Sequence, residues 1–479
     1  MSIIQKRDLI RNYTLSLEEK SASVFIGAGL SYDVFHLDWT SLVRPYLEQL
    51  EGYSGNDPIM GLQYYVTQNR VEPITLKHEI AKKFDGTDYT QNHLLLAKLP
   101  ISRYWTTNFD ILIEEAIRSI NEPRDIMNSN DSFVPVLERR DNIVYKLHGD
   151  INSPNDIIIL NDDFRSYKKT HCNFVTALEN ELATSSVLFL GYSFNDPDIK
   201  NIFDNITIKN SSYVQHYFIT KRAEPDKAAE QNYWIAELGK NGILTCLIDD
   251  YTEIEEILRS IYKQYMSRKV LISGSSCGDY GKFSAQEAQK LLYEWGYKLI
   301  DENRDQSVDI VSGYGLGVGQ YLVEGAAEAV ATNNLDFGKR ILIYPFPKMY
   351  YSVPTEKRSP ELNEQFEKYR EKMIDKCGVV FFLFGNKKSE DQTIIADGVL
   401  KEFEIACQQN KYVFPIGATG WAAEQLAQKV MRNFEKYNPG LKEIKELYFE
   451  LNNPSVSASR IVEIILDIID RLDYRFENI

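Results

Sequence analysis

The sequence predicts an α/β protein of two domains, each a parallel sheet flanked by helices. Three observations carry that prediction. Short β-rich runs alternate with longer amphipathic stretches along the chain, the signature of strands joined by helical crossovers. These runs fall into two series, one ending near Ile248 and the other starting at Lys269. The length, 479 residues, allows two or three cores at roughly 150 residues per domain.

The first series comprises SVFIG from Ser23, PISRYWTTN from Pro100, IVYKLHG from Ile143, SVLFLGY from Ser186, YVQHYFIT from Tyr213 and ILTCLID from Ile243. Ile254, Ile257, Leu258, Ile261 and Tyr265 then recur at helical spacing. The domain boundary is expected just after this helix, giving domains 1–267 and 268–479. The second series comprises KVLISGSS from Lys269, VDIVSGYG from Val308, RILIYPF from Arg340, CGVVFFLFG from Cys377 and KYVFPIG from Lys411. Between its first two runs, Ser284 and Glu287 have the spacing of a capping box. The helix they open has Ala288, Leu291, Leu292 and Trp295 on one face. A further helix carries Leu322, Gly325, Ala326, Ala329 and Val330 on one face.

Composition narrows the function. Hydrophobic residues at 43% and charged residues at 26% suit an ordinary globular chain. With 54 basic against 69 acidic residues the net charge is −15, so no basic excess is present to bind a nucleic-acid backbone broadly. Cys172, Cys246, Cys277, Cys377 and Cys407 include no C-x-x-C pair, which removes a zinc ribbon or redox pair. An odd number of dispersed cysteines fits reduced thiols and a cytoplasmic location. The N-terminus carries charges where a signal peptide needs an apolar stretch, and runs such as GVVFFLF are too short to span a bilayer. All six histidines lie between His36 and His216, so histidine chemistry is available only to the first domain.

Four strings in the first domain carry chemistry. Gly27-Ala28-Gly29-Leu30-Ser31 follows the first strand, where two glycines and a following helix suit a phosphate. A tight strand-to-helix turn reads equally well there. Thr106-Thr107-Asn108-Phe109-Asp110 and Lys146-Leu147-His148-Gly149-Asp150 put polar residues at strand ends, the edge where open α/β sheets bind ligands. Asn108 and Asp110 taken alone are ordinary turn formers. The fourth string is Gly191-Tyr192-Ser193-Phe194-Asn195-Asp196-Pro197.

In this order the strings resemble the sirtuin family, a Rossmann-like fold, over roughly residues 10–265. The resemblance implies NAD as ligand, with Gly27, Ala28, Gly29, Ser31, Asp110, Gly191 and Ser193 as its contacts. It places Asn108 and His148 at the nicotinamide ribose. Two departures stand out: no four-cysteine zinc module is present, and YDVFHLDWTSL follows the glycine loop in place of the deacylase pattern. What remains is cleavage of NAD with water as acceptor. Breaking that bond develops oxocarbenium character, as in glycoside hydrolysis. It calls for a positioned water and a base near the ribose, roles open to Asn108 and His148. Asp110 and Asp150 read as loop organisers. No metal or further cofactor is expected, NAD+ being the substrate.

In the second domain, Gly274, Ser275 and Gly278 follow one strand, and Gly313, Gly315 and Gly317 follow the next. Two such loops suit a two-phosphate cradle. They resemble the SLOG family of Rossmann-like nucleotide-binding domains over roughly residues 268–479. Enzymatic relatives carry P-G-G-x-G-T-x-x-E, whereas this chain reads Gly398-Val399-Leu400-Lys401-Glu402-Phe403-Glu404. That favours a sensor. Arg370 suits a phosphate and Glu402 suits ribose hydroxyls, though each reads equally well as a surface salt-bridge residue.

The combination resembles the NAD-hydrolysing effectors of Thoeris antiphage defence. It implies activation by a cyclic ADP-ribose isomer made by a TIR-domain partner, with Arg370 and Glu402 at the signal, and a homotetramer. Three alternatives stay open: a sirtuin-type deacylase or ADP-ribosyltransferase, a non-catalytic nucleotide-sensing scaffold, and a hydrolase triggered by a macromolecule.

Overall fold

Strands buried on both faces need continuous apolar runs, and helices must then cover each face. The computed structural model describes residues 2–55, 57–120, 122–133, 142–194, 202, 214–301, 308–347, 353, 358–389 and 392–477. These divide into two compact units, Met1–Tyr262 and Lys263–Ile479. The division falls inside the helix Glu253–Ser267, whose Ile254, Ile257, Leu258 and Ile261 are buried.

The first unit holds β1 (Ala22–Ile26), β2 (Arg103–Thr106), β3 (Asp125–Met127), β4 (Ile143–Lys146), β5 (Ser186–Leu190), β6 (His216–Lys221) and β7 (Ile243–Ile248). They form one seven-stranded sheet in the order β3-β4-β2-β1-β5-β6-β7. Every pairing is parallel. Val24 of β1 pairs with Tyr104 on one side and Leu188 on the other. The chain leaves β1 toward β2 and later returns to its opposite side at β5, so β1 and β5 mark the topological switch where such sheets bind ligands. β3 has no counterpart among the expected strands, because three residues are too few to show a period.

A second difference lies directly after β1. The helix expected to open at the glycine loop is only a 3₁₀ turn, Ala28–Leu30, and a four-residue helix, Tyr32–Phe35. It stops at His36, whose φ of 51° is left-handed. Four longer helices follow before β2: Trp39–Leu47, Pro58–Asn69, Pro73–Lys82 and Gln91–Lys98. Asp38 and Asp57 cap the first two by accepting from Ser41 N at 2.6 Å and Ile59 N at 3.0 Å. Leu42, Leu62, Leu76 and Ile80 of this excursion bury against Phe109, Ile157 and Ile159.

The second unit holds β8 (Lys269–Ser275), β9 (Asp309–Ser312), β10 (Ile341–Ile343), β11 (Val379–Phe384), β12 (Asn386–Ser389), β13 (Gln392–Ile395) and β14 (Tyr412–Pro415). Five of them pair in parallel in the order β10-β9-β8-β11-β14, while β12 and β13 form a separate antiparallel pair. That hairpin has no counterpart among the expected elements, since its polar residues carry little hydrophobic alternation. The capping box is present: Ser284 N donates to Glu287 Oε2 at 2.9 Å, and Glu287 N donates to Ser284 Oγ at 3.3 Å. Helices Ala285–Ile300 and Gly319–Thr332 cross so closely that a Cβ on Gly296 would lie 2.0 Å from the Leu322 carbonyl oxygen. Among the described residues no helix is long and apolar enough to cross a membrane.

Candidate functional site

β4, β2, β1 and β5 are adjacent and parallel, so the loops leaving them converge on one edge. A cavity of about 830 Å³ opens there, within the usual size for small-ligand sites. Ala28, Gly29 and Ser31 line it from the β1 loop; Thr107, Asn108 and Asp110 from the β2 loop; His148 from the β4 loop; and Gly191 and Ser193 from the β5 loop. Eight of the nine predicted NAD-site residues thus share one cavity; the ninth, Gly27, is not among its lining residues. Asn195, Asp196 and Pro197 lie outside the described residues.

The glycines of the β1 and β5 loops serve each other. Gly29 N donates to the Gly191 carbonyl at 2.9 Å. A Cβ on Gly27 would lie 2.4 Å from the Gly191 oxygen, and one on Gly191 would lie 2.3 Å from Leu30 N. Gly191 also adopts a φ of 62°, a region that suits glycine. These residues therefore hold the two loops in backbone contact, and the Gly29 N–H is spent on the protein.

The Asn108 side chain is fixed by what it touches. Its Nδ2 donates to the Gly27 carbonyl at 3.2 Å and to Ser31 Oγ at 3.1 Å. A carbonyl can only accept, so the orientation of the amide is determined. Oδ1 is buried with no hydrogen-bond partner among the described residues. Both donors are thus taken by the scaffold, and the acceptor alone is left for substrate or water. His148 is 6% exposed, with the Phe164 and Tyr167 rings edge-on to its imidazole at 5.4 and 6.1 Å. Asp110 lines the cavity but its Oδ1 accepts from Leu112 N at 3.1 Å, a local turn bond just ahead of the helix Leu112–Ser119. Asp150 accepts from Asn152 N at 2.7 Å and from Asn128 Nδ2 at 3.2 Å.

Two features have no assigned role in the strings read from the sequence, although Lys146 stands in one of them. The outer wall of the cavity includes Phe35, Trp39, Pro58 and Phe84, contributed by the helical excursion between β1 and β2. Phe35 and Trp39 stand within the YDVFHLDWTSL departure, while Pro58 and Phe84 belong to no motif. The other feature is a fully buried ion pair, Lys146 Nζ to Glu114 Oε1 at 2.9 Å. A lysine closing an otherwise apolar strand is its only mark in the sequence.

In the second unit the two glycine loops interlock. Ser276 N donates to the Leu316 carbonyl at 2.8 Å, and a Cβ on Gly315 would lie 2.1 Å from the Gly274 oxygen. Beneath them Arg370 and Glu402 meet each other, Nε to Oε1 at 3.5 Å. Ser273, a further member, donates to Glu402 Oε2 at 2.6 Å. The Arg370 guanidinium lies over the Phe346 ring at 5.0 Å. Burial pushes the Glu402 carboxyl above its ordinary range, and Arg370 and Ser273 pull it back. Gly313 adjoins this cluster, its Cβ position 3.5 Å from Phe346. Ser275 donates to the Asn386 carbonyl at 3.0 Å. Gly317, with a φ of 69°, packs its carbonyl on the Tyr280 hydroxyl at 3.0 Å. Gly278 stands apart, with no atom within 4 Å of its Cβ position. A second cavity, lined by Asp279, Lys282, Trp421 and Glu424 among others, contains none of the predicted signal residues.

Comparison with known proteins matches both halves. The model of the "Sir2- and TIR-associating SLOG family" matches residues 253–472, and that of the "SIR2-like domain" matches residues 102–243. The chain is 33% identical to NAD(+) hydrolase ThsA of Bacillus cereus (strain MSX-D12), covering 97% of this chain and 98% of that protein. It is 30% identical to NAD(+) hydrolase ThsA of Cytobacillus dafuensis, covering 98% and 97%. The chain belongs to the ThsA family. The SIR2-like match begins at β2 and so leaves out the β1 loop and the helical excursion. In this ThsA-family chain the β1 loop nevertheless closes the cavity, with Ser31 and Gly27 holding Asn108.

Proposed function

We infer that this chain hydrolyses NAD+ to nicotinamide and ADP-ribose in its first unit, at the cavity shared by Asn108 and His148. The observation that carries this reading is the Asn108 side chain, in a chain of the ThsA family. Its donors are fixed on Gly27 and Ser31, and its acceptor is left over at the edge where four parallel strands end. An acceptor can hold a water by its proton and direct its oxygen at the ribose carbon. His148 accepts a proton near the ribose hydroxyls. The aromatic wall excludes bulk water, which strengthens every polar contact inside. Nicotinamide leaves as a neutral molecule, so the step as drawn needs no metal.

The second unit is proposed to bind a cyclic ADP-ribose isomer supplied by a TIR-domain enzyme. Arg370 takes its phosphates and Glu402 its ribose hydroxyls, against the loops at Gly274, Ser275, Gly278, Gly313, Gly315 and Gly317. Loss of NAD+ then serves antiphage defence in the cytoplasm, with the protein acting as a homotetramer. An effector that consumes NAD+ needs an off state. Moving from about 1% to about 99% active requires the signal to favour the active state by about 5.5 kcal/mol.

The test is nicotinamide release by the purified protein with and without each cyclic ADP-ribose isomer. A sharp rise with one isomer supports both sites. Equal turnover throughout removes the signal model and keeps the hydrolase. No turnover in a folded protein moves the reading to a sensing scaffold.

A further inference from the structure

Lys146 ends β4 and is fully buried, two residues before His148. Its ammonium reaches across to the neighbouring loop: it donates to the Asp110 carbonyl and pairs with Glu114 Oε1 at 2.9 Å. Asp110 stands two residues after Asn108 and accepts from Leu112 N, and Glu114 lies in the first turn of the helix Leu112–Ser119 that follows. Neither Lys146 nor Glu114 lines the cavity. A buried ammonium costs a great deal unless it is paired and hydrogen-bonded, and this one has both kinds of partner. Stability alone is poor grounds for such a pair, since apolar residues of similar size serve a core as well or better. The backbone already joins the loops at two points, Leu147 N to the Thr106 carbonyl at 2.9 Å and Ile151 N to the Phe109 carbonyl at 3.0 Å. These bonds bracket the Asn108 and His148 loops and leave the Asp110 carbonyl to Lys146.

We propose that Lys146 is a positioning residue for NAD+ hydrolysis: its ammonium, held by Glu114, fixes the Asp110 carbonyl and so the placement of Asn108 relative to His148. The proposal rests on the reading of the cavity as the hydrolase site. It touches no substrate atom and therefore acts on the chemical step more than on binding. Displacing a catalytic group by about 1 Å can cost on the order of 100-fold in rate.

The experiment compares three folded proteins under the condition in which the wild type turns over. Lys146→Met combined with Glu114→Gln removes the tie without leaving a buried charge unpaired. Its kcat is expected to fall by about 10- to 100-fold with KM for NAD+ within about threefold. Glu114→Gln alone keeps the ammonium–carbonyl bond, loses thermal stability because the buried ammonium is left without its counter-ion, and is expected to lose less kcat than the double variant. A folded double variant with wild-type kcat overturns the proposal. So does a loss in Glu114→Gln as large as that of the double variant at equal thermal stability, because the bond from Lys146 to the Asp110 carbonyl is retained there. Matching losses of kcat and thermal stability in both variants, with KM rising, would mark a merely structural pair and also overturn it. A wild type that releases no nicotinamide sinks the hydrolase reading instead. The displacement of Asn108 in a crystal structure of the double variant then decides the tie on its own.

Discussion

The two units share an architecture of parallel strands and glycine-bearing loops, yet they hold their polar groups differently. At the edge of the first sheet, Asn108 is locked by donating to Gly27 and Ser31 with its acceptor left over, and the cavity is open at about 830 Å³. In the second, Arg370 and Glu402 face each other and Ser273 completes the carboxylate. A site whose acceptor is already fixed and left over has little to rearrange, which suits catalysis. A site whose opposite charges satisfy each other must share them anew when an anionic ligand arrives. That suits a switch, because binding then alters the contacts of two helices at once: Pro360–Asp375 and Asp397–Gln408.

The sharpest break of this contrast is Asn108→Ala. Nicotinamide release should fall on the order of 100- to 1,000-fold, as for loss of one oriented polar group. Binding of NAD+, read by calorimetry, should change far less. An Asn108→Ala protein with near wild-type turnover removes Asn108 from the chemistry. Next in size is Arg370→Ala. The concentration of the activating isomer giving half-maximal turnover should rise at least about tenfold, or 1.4 kcal/mol. The same change strands the Glu402 carboxylate, and breaking one side of a buried pair costs about 3–5 kcal/mol. Adding Glu402→Gln should therefore restore thermal stability and leave the response lost. If the double variant regains both, the pair is structural and the signal binds elsewhere.

Why one site was legible and the other only partly so follows from chain geometry. Each string around Gly29, Asn108, His148 and Gly191 ends a strand, and parallel strands put such ends on one edge. Reading the strands was therefore enough to collect the residues. The cavity wall at Trp39 and Phe84 comes from helices inserted between β1 and β2, and no period records where an inserted helix packs. The helix expected after Ser31 is four residues long, because the chain turns at His36 into that same insertion. Lys146 and Ser273 escaped because each looks like one more strand residue until its neighbours are known. The same holds for the hairpin β12–β13, whose Asn386 carbonyl meets Ser275.

A smaller effect tests how tightly the second unit is built. The backbone contact at Gly296 leaves no room for a methyl, since its Cβ would lie 2.0 Å from a carbonyl oxygen in the facing helix. Gly296→Ala should cost about 1–3 kcal/mol, the usual range for overpacking. Differential scanning calorimetry should show the loss in a transition assigned to residues 263–479. An unchanged transition would mean that the two helices can slide apart freely.

The smallest expected effect separates the units by pH. Burial lowers His93 and His216 from 6.5 to about 4, with Asp110 pulling His93 part of the way back. Both are in the first unit, and the second has no histidine. A histidine held neutral in the fold binds its proton more readily when unfolded. Stability is therefore intact above pH 6.5 and declines as pH falls from 6.5 toward 4. Between pH 7 and pH 6 the two groups together should cost the first unit roughly 1 kcal/mol. Limited proteolysis in graded urea, with fragments mapped by mass spectrometry, reads each unit separately. The urea midpoint of residues 1–262 should fall between pH 7 and pH 6, and that of residues 263–479 should move less. His216 accepts from Val187 N at 3.3 Å, so glutamine can replace it while keeping an acceptor. His216→Gln should remove part of the pH dependence, His93 and His171 being lowered by burial as well, at the cost of some stability at pH 7. A pH slope unchanged by that substitution would place the acid sensitivity on the carboxylates and leave the two units alike in this respect.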